Sequence, residues 1–257
     1  MSRWQRFSLF EALFVLCAVF AWIRPAGNVI GALGLTGLMV LTGVLLGLYG
    51  QTFQTGANTY ELFFAWAALS VPFAWLSRQP GIWAFWCVIL NIALALYAQS
   101  ASTWMFFSQY SESINWMVLG LINLALTWIF LRQLHSQWLY RFLLVCAAGF
   151  ATIGSLSLVL GSQGGQMVGI FYLANCAALV AFTQYAKPKD IFPITLLAFN
   201  LVVTSTAMFA RHGDLGDVGM FFALSFWVLV SSAVAFSILL KLHQLWHSEA
   251  HTLEQLQ

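Results

Sequence analysis

Nine apolar runs follow one another along this chain, at 7–23, 28–48, 61–77, 81–98, 114–131, 138–160, 166–186, 191–210 and 217–240. Arginine, glycine, proline or polar clusters separate them. A helix of about 20 apolar residues crosses the hydrocarbon core of a bilayer, and it closes its own backbone hydrogen bonds where no water can do so. A closed β-barrel is the other way to cross, but it needs shorter segments alternating with period two, and these runs show none. The expected fold is therefore all-α, a polytopic transmembrane helical bundle of eight or nine spans, with no separate soluble domain.

Composition agrees. Only 7% of the 257 residues are charged and 61% are apolar. A soluble domain carries about 25% charged residues, so this chain cannot clothe a water-facing surface, and the lipid bilayer is its first partner. A net charge of +2 without a basic stripe gives no footprint for nucleic acid. Cys17, Cys87, Cys146 and Cys176 all fall inside apolar runs without CxxC spacing, so they read as small buried hydrophobes. Trp22, Trp75, Trp83, Trp104, Trp116, Trp128 and Trp138 stand near run ends, as an interfacial aromatic belt requires.

Orientation follows from the loop cations. Arg24, Arg78, Arg132, Arg141, Lys187, Lys189 and Lys241 fall on one side, which should be cytoplasmic and hold the C-terminus; Arg211 falls on the other. Arg3 and Arg6 conflict with nine spans, whereas apolar length favours them. Run 7–23 carries Glu11, so it either spans or lies in the interface, and the side of the N-terminus stays open with it.

Glycines at 31, 34, 37, 43 and 47 mark the second run as a helix that neighbours can approach closely. Pro72 removes a backbone hydrogen bond within the third, which makes it a candidate hinge.

The stretch Gly50 to Pro72 holds Gly50-Gln51, Phe53-Gln54-x-Gly56, Asn58, Leu62-Phe63, Trp66 and Pro72. It resembles the bacterial multi-pass family called domain of unknown function 2157, from about Arg3 to Tyr97. Asn58 stands where many relatives have Asp. The resemblance implies a bacterial inner membrane and supplies no activity.

Two sets of polar residues are candidate sites. Gln51, Gln54, Asn58 and Glu61 crowd the outer end of the second and third runs, where they read as a gate or recognition loop. Their other reading is a helix cap, with Asn58 as N-cap and Glu61 in capping-box position. With nine spans, Glu11 would stand at a level similar to Glu61, with Arg211 on the same side. Asn91, Asn123, Asn175 and Asn200 each fall near the centre of a run. An amide in hydrocarbon must find a partner, so these four either converge on a substrate site at the midplane or glue helices in pairs.

Three further segments carry weaker signals. Loop 99–113 should lie along the outer interface. The turn Arg211–Asp217 mixes one His with two Asp but reads as solvated, and no metal or other cofactor is expected. Tail 241–257 spaces leucines and Trp246 helically and should lie on the cytoplasmic leaflet. No nucleotide-binding or hydrolase motif occurs, and no His–acid pair falls inside a run, so an enzyme is not expected. The function expected is a carrier or channel for a small solute. The alternative is a non-transporting scaffold or complex subunit, with a membrane-protein partner or a second copy of itself.

Overall fold

The computed structural model describes residues 3–24, 28–53, 56, 58–100, 111–134, 136–161, 166–185, 190–211 and 218–255. Among these the chain is all-α. Its helices are α1 (Arg3–Ile23), α2 (Val29–Phe53), α3 (Thr59–Ser77), α4 (Pro80–Ser100), α5 (Ser111–Leu134), α6 (Gln137–Leu160), α7 (Gln166–Tyr185), α8 (Phe192–Arg211) and α9 (Val218–Gln255). Each apolar run became one helix. Among the described residues seven helices are long and apolar enough to cross a membrane, α1 among them, and α7 adds the shorter apolar stretch Tyr172–Phe182. Tyr60, Glu61, Trp66 and Pro72 dilute the apolar character of α3.

The helices form two compact units, Met1–Ala101 with Ile129–Phe142, and Ser102–Trp128 with Leu143–Gln257. In the first, α1, α2, α3 and α4 pack each on the next. Glycine sets the spacing of α1 and α2. A β-carbon at Gly34 would stand 3.1 Å from the Cys17 carbonyl oxygen, and one at Gly37 would stand 2.8 Å from the Cys17 sulfur. Gly43 faces the indole ring of Trp66 on α3, whereas Gly47 meets no neighbour. The contact glycines are thus 34, 37 and 43, and the four-residue step from Gly43 to Gly47 is not a packing motif here.

Two tryptophans tie successive helices by donating to main-chain carbonyls that their own helix cannot reach. Trp66 Nε1 donates to Met39 O on α2 at 2.7 Å, and Trp86 Nε1 to Ala67 O on α3 at 2.8 Å. Trp83 does not belong to an interfacial belt. It is buried and packs among Trp75, Trp86 and Phe130. Trp116 is likewise buried and stacks on Phe150. Both lie near helix ends, but on faces that meet other helices rather than lipid. Trp22, Trp75, Trp128 and Trp138 are exposed, as belt residues are.

Helix α3 stays helical through Pro72 and ends on Arg78, whose φ of 51° is left-handed. A side chain there costs about 1–2 kcal/mol, which glycine avoids. Arg78→Gly is therefore expected to raise resistance to unfolding by roughly 1 kcal/mol, measured by denaturant titration in mixed micelles.

In the second unit, α8 turns Pro193, Asn200, Thr204 and Ala207 inward. Helix α9 packs on α8, where the Trp227 ring stacks on Phe209 at 5.7 Å between centroids. It runs unbroken for 38 residues. At 1.5 Å per residue that is about 57 Å, against a hydrocarbon core of about 30 Å. Residues 241–255 are therefore a continuation of α9 and not a separate helix. No break follows Leu240 because 241–255 contain neither Pro nor Gly to end the helix.

Candidate functional site

The four mid-helix asparagines are all buried. Asn91 belongs to the first unit, and its amide donates to Cys87 O one turn back on α4, at 2.8 Å. Asn123, Asn175 and Asn200 belong to the second. Asn123 donates to Leu119 O on its own helix at 2.9 Å, and the same turn is used again by Thr127, which donates to Asn123 O at 2.7 Å. Asn175 reaches from α7 to Met117 O on α5 at 3.4 Å. Asn200 reaches from α8 to the hydroxyl of Thr152 on α6 at 2.7 Å. Two of these bonds turn back on the amide's own helix and two join helices.

Sequence reading missed the residues that set this geometry. Gly120 lets α5, α6 and α7 meet. A β-carbon there would stand 2.7 Å from Asn175 Oδ1 and 3.1 Å from Ala147 O. Gly154 does the same for α6 against α5, where a β-carbon would meet Met117 Cγ at 2.7 Å and Ser113 O at 3.0 Å.

Hydroxyls were missed as well. Ser155 Oγ lies 2.9 Å from Thr204 Oγ1, beside the Asn200–Thr152 pair. Arg211 completes the row by donating to Val159 O at 2.8 Å. The pairs 152–200, 155–204 and 159–211 advance together, so α6 and α8 run parallel with a polar seam from mid-helix to their C-terminal ends. The signal was available: Thr152 and Ser155 are three apart, Asn200 and Thr204 four apart, which places each pair on one helix face. Arg211 supplies a cation to the C-terminal end of α6, where the helix dipole is negative.

The 50–61 segment is only partly a loop. Helix α2 runs on to Phe53, so Gln51 sits on its last turns and is exposed. Gln54 lies outside the described residues. Gly56 takes φ of 65°, a turn that glycine allows. Asn58 is the N-cap of α3, but its side chain does not cap the helix. It donates instead to Glu61 Oε1 at 3.2 Å. Asn58 and Glu61 are thus joined side chain to side chain, and the capping box expected of them is not formed.

Glu11 and Glu61 are not joined. Glu11 opens onto a groove of about 410 Å³ with Phe14, Thr42, Tyr49, Leu69 and Phe73. Leu69 and Phe73 lie eight and twelve residues beyond Glu61 on α3, about 12–18 Å along the helix. Arg211 donates to Val159 O on α6. The tilt of α1 across α3, marked by the Phe14–Phe73 contact, sets this level. Loop residues 101–110 and the turn 212–217 lie outside the described residues.

Residues 1–83, which comprise α1, α2, α3 and the start of α4, match the model of the DUF2157 family, described as a predicted membrane protein. The resemblance carried by Gly50–Pro72 therefore holds over the first third of the chain. No curated protein matches, and no solved structure does. Trp66 and Gly43 fall within the matched stretch, so the indole that ties α3 to α2 is part of what the family model covers.

Proposed function

We propose that this chain is a non-enzymatic, non-transporting membrane subunit that associates through α9 with a second copy of itself, in a bacterial inner membrane with the C-terminus in the cytoplasm. The observation that carries this is the bareness of α9. None of its apolar stretch Val218–Trp246 is buried within the chain, as in α1, against half in α5 and α6, and α9 differs from α1 in the groove it forms with α8. A groove of about 520 Å³ runs between α8 and α9, lined by Ala198, Ser205, Trp227, Ser231, Ala235 and larger aliphatics. Both serines are already engaged: Ser231 donates to Trp227 O at 2.7 Å, and Ser205 donates to Val202 O at 3.0 Å. Nothing there requires a polar ligand, and Ser231 and Ala235, four apart, let another backbone come close. Two copies inserted alike have parallel α9 helices and present each other the same face.

The test is a cysteine at Ser231, with the four native cysteines replaced, crosslinked in intact cells. A dimer-mass product that falls at least fivefold when Ala235→Trp fills the groove supports the reading. A monomer under both conditions means that lipid fills the groove, and the reading fails.

A second reading keeps Asn91, Asn123, Asn175 and Asn200 as a solute path, gated by Gln51, Gln54, Asn58, Glu61 and Glu11 with Pro72 as hinge. One observation favours part of it: the amide oxygen of Asn200 is buried without a hydrogen-bond partner among the described residues. Against it, Asn91 and Asn123 spend an amide proton on their own helices, and Asn175 spends one on α5.

A further inference from the structure

Three hydroxyls of the seam between α6 and α8 have assignable donors. Thr152 spends its hydroxyl proton on Ala148 O at 2.7 Å. Ser155 spends its proton on Thr152 O at 2.8 Å. Thr204 is then the donor in the 2.9 Å contact with Ser155 Oγ, because each hydroxyl has one proton to give. Asn200 gives an N–H to Thr152 Oγ1. The hydroxyl protons of Thr152, Ser155 and Thr204 are committed, Tyr172 brings a further hydroxyl beside Thr204, and Asn200 Oδ1 has no hydrogen-bond partner among the described residues at a residue 1% exposed. An unmet buried acceptor costs about 1–3 kcal/mol, which a bound donor recovers.

We propose that the Asn200 amide, next to the Ser155–Thr204 hydroxyl pair, is a binding site for one water-sized hydrogen-bond donor at the middle of the membrane. Water is the molecule assigned. It donates to Oδ1 as built. A purely apolar ligand would leave the acceptor unmet. The site stands independently of self-association through α9.

The experiment is an experimental structure of the full chain in lipid nanodiscs, at a resolution that shows ordered water, for the wild type, Asn200→Leu and Asn123→Leu. The expected result is a single spherical feature about 2.6–3.2 Å from the Asn200 amide. It should be lost in Asn200→Leu and kept in Asn123→Leu. An elongated feature that disappears on exhaustive dialysis would mean a solute donor in place of water, and the assignment of water would fall. An empty amide edge, or a donor supplied by another part of the chain, would overturn the site. The wild-type map decides the question even if neither variant folds.

Discussion

Gly43→Val is expected to cost the first unit about 1–3 kcal/mol or more, enough to lower the yield of folded protein several-fold. A β-carbon at Gly43 would run into three atoms of the Trp66 ring, closer than carbon atoms can pack. The ring cannot simply swing away. Its Nε1 is held by Met39 O at 2.7 Å, and its faces meet Phe63 and Phe85 at centroid distances of 5.6 and 6.3 Å. To admit a side chain, α3 must separate from α2 or the indole must leave its carbonyl. The measurement is fluorescence-monitored size exclusion of membrane extracts, followed by denaturant titration. Pairing Gly43→Val with Trp66→Leu should recover part of the loss, because the clash and the ring are one interaction. Equal stability of Gly43→Val and wild type would mean that α2 and α3 do not pack through this position.

The second large effect is expected at Gly120. Valine there must displace Asn175 Oδ1, 2.7 Å from the new β-carbon, and must press on Ala147 O at 3.1 Å. The amide is the end of a flexible side chain and can give. The carbonyl belongs to the α6 backbone and cannot. Gly120→Val should therefore destabilise the second unit by about 1–3 kcal/mol. Gly120→Ala should cost less, and Asn175→Ala should relieve only the part due to the amide. A double-mutant cycle on Gly120→Ala and Asn175→Ala, read by thermal unfolding in detergent, separates the two contributions. A full rescue by Asn175→Ala would show that α6 does not approach α5 as closely as Ala147 O implies.

Both effects come from glycines, and the chain alone treated the two differently. The glycines of α2 were visible as a series, so close approach by neighbours was expected. Which of them do the work was not visible. Gly34, Gly37 and Gly43 touch other helices and Gly47 touches nothing, because the tilt of α1 and α3 across α2 decides where backbones meet. Gly120 is isolated in its helix and carried no signal at all.

The polar residues divide in the same way. Placing Asn91, Asn123, Asn175 and Asn200 at mid-helix needs only the hydrophobic period and the length of a span, both local properties. Their partners are set by helix rotation. The rotation of α4 and α5 directs Asn91 and Asn123 to carbonyls on their own helices, whereas that of α8 turns Asn200 and Thr204 onto Thr152 and Ser155. Asn58 and Glu61 met as their spacing required, because three residues along a helix is a local distance. Glu11 did not join Glu61, because their relative height depends on how two helices cross.

By itself, then, the chain determined an all-α, multi-pass architecture, the position of nearly every helix and the mid-helix placement of its buried amides. All of these follow from the cost of placing backbone and polar groups in hydrocarbon. Only the tertiary structure decided which glycines are contact points, which tryptophans leave the interface for the interior, and which amide keeps an acceptor to spare. Those outcomes depend on the rotation and tilt of one helix against the next, and in lipid these are set by side-chain packing between distant segments rather than by hydrophobicity.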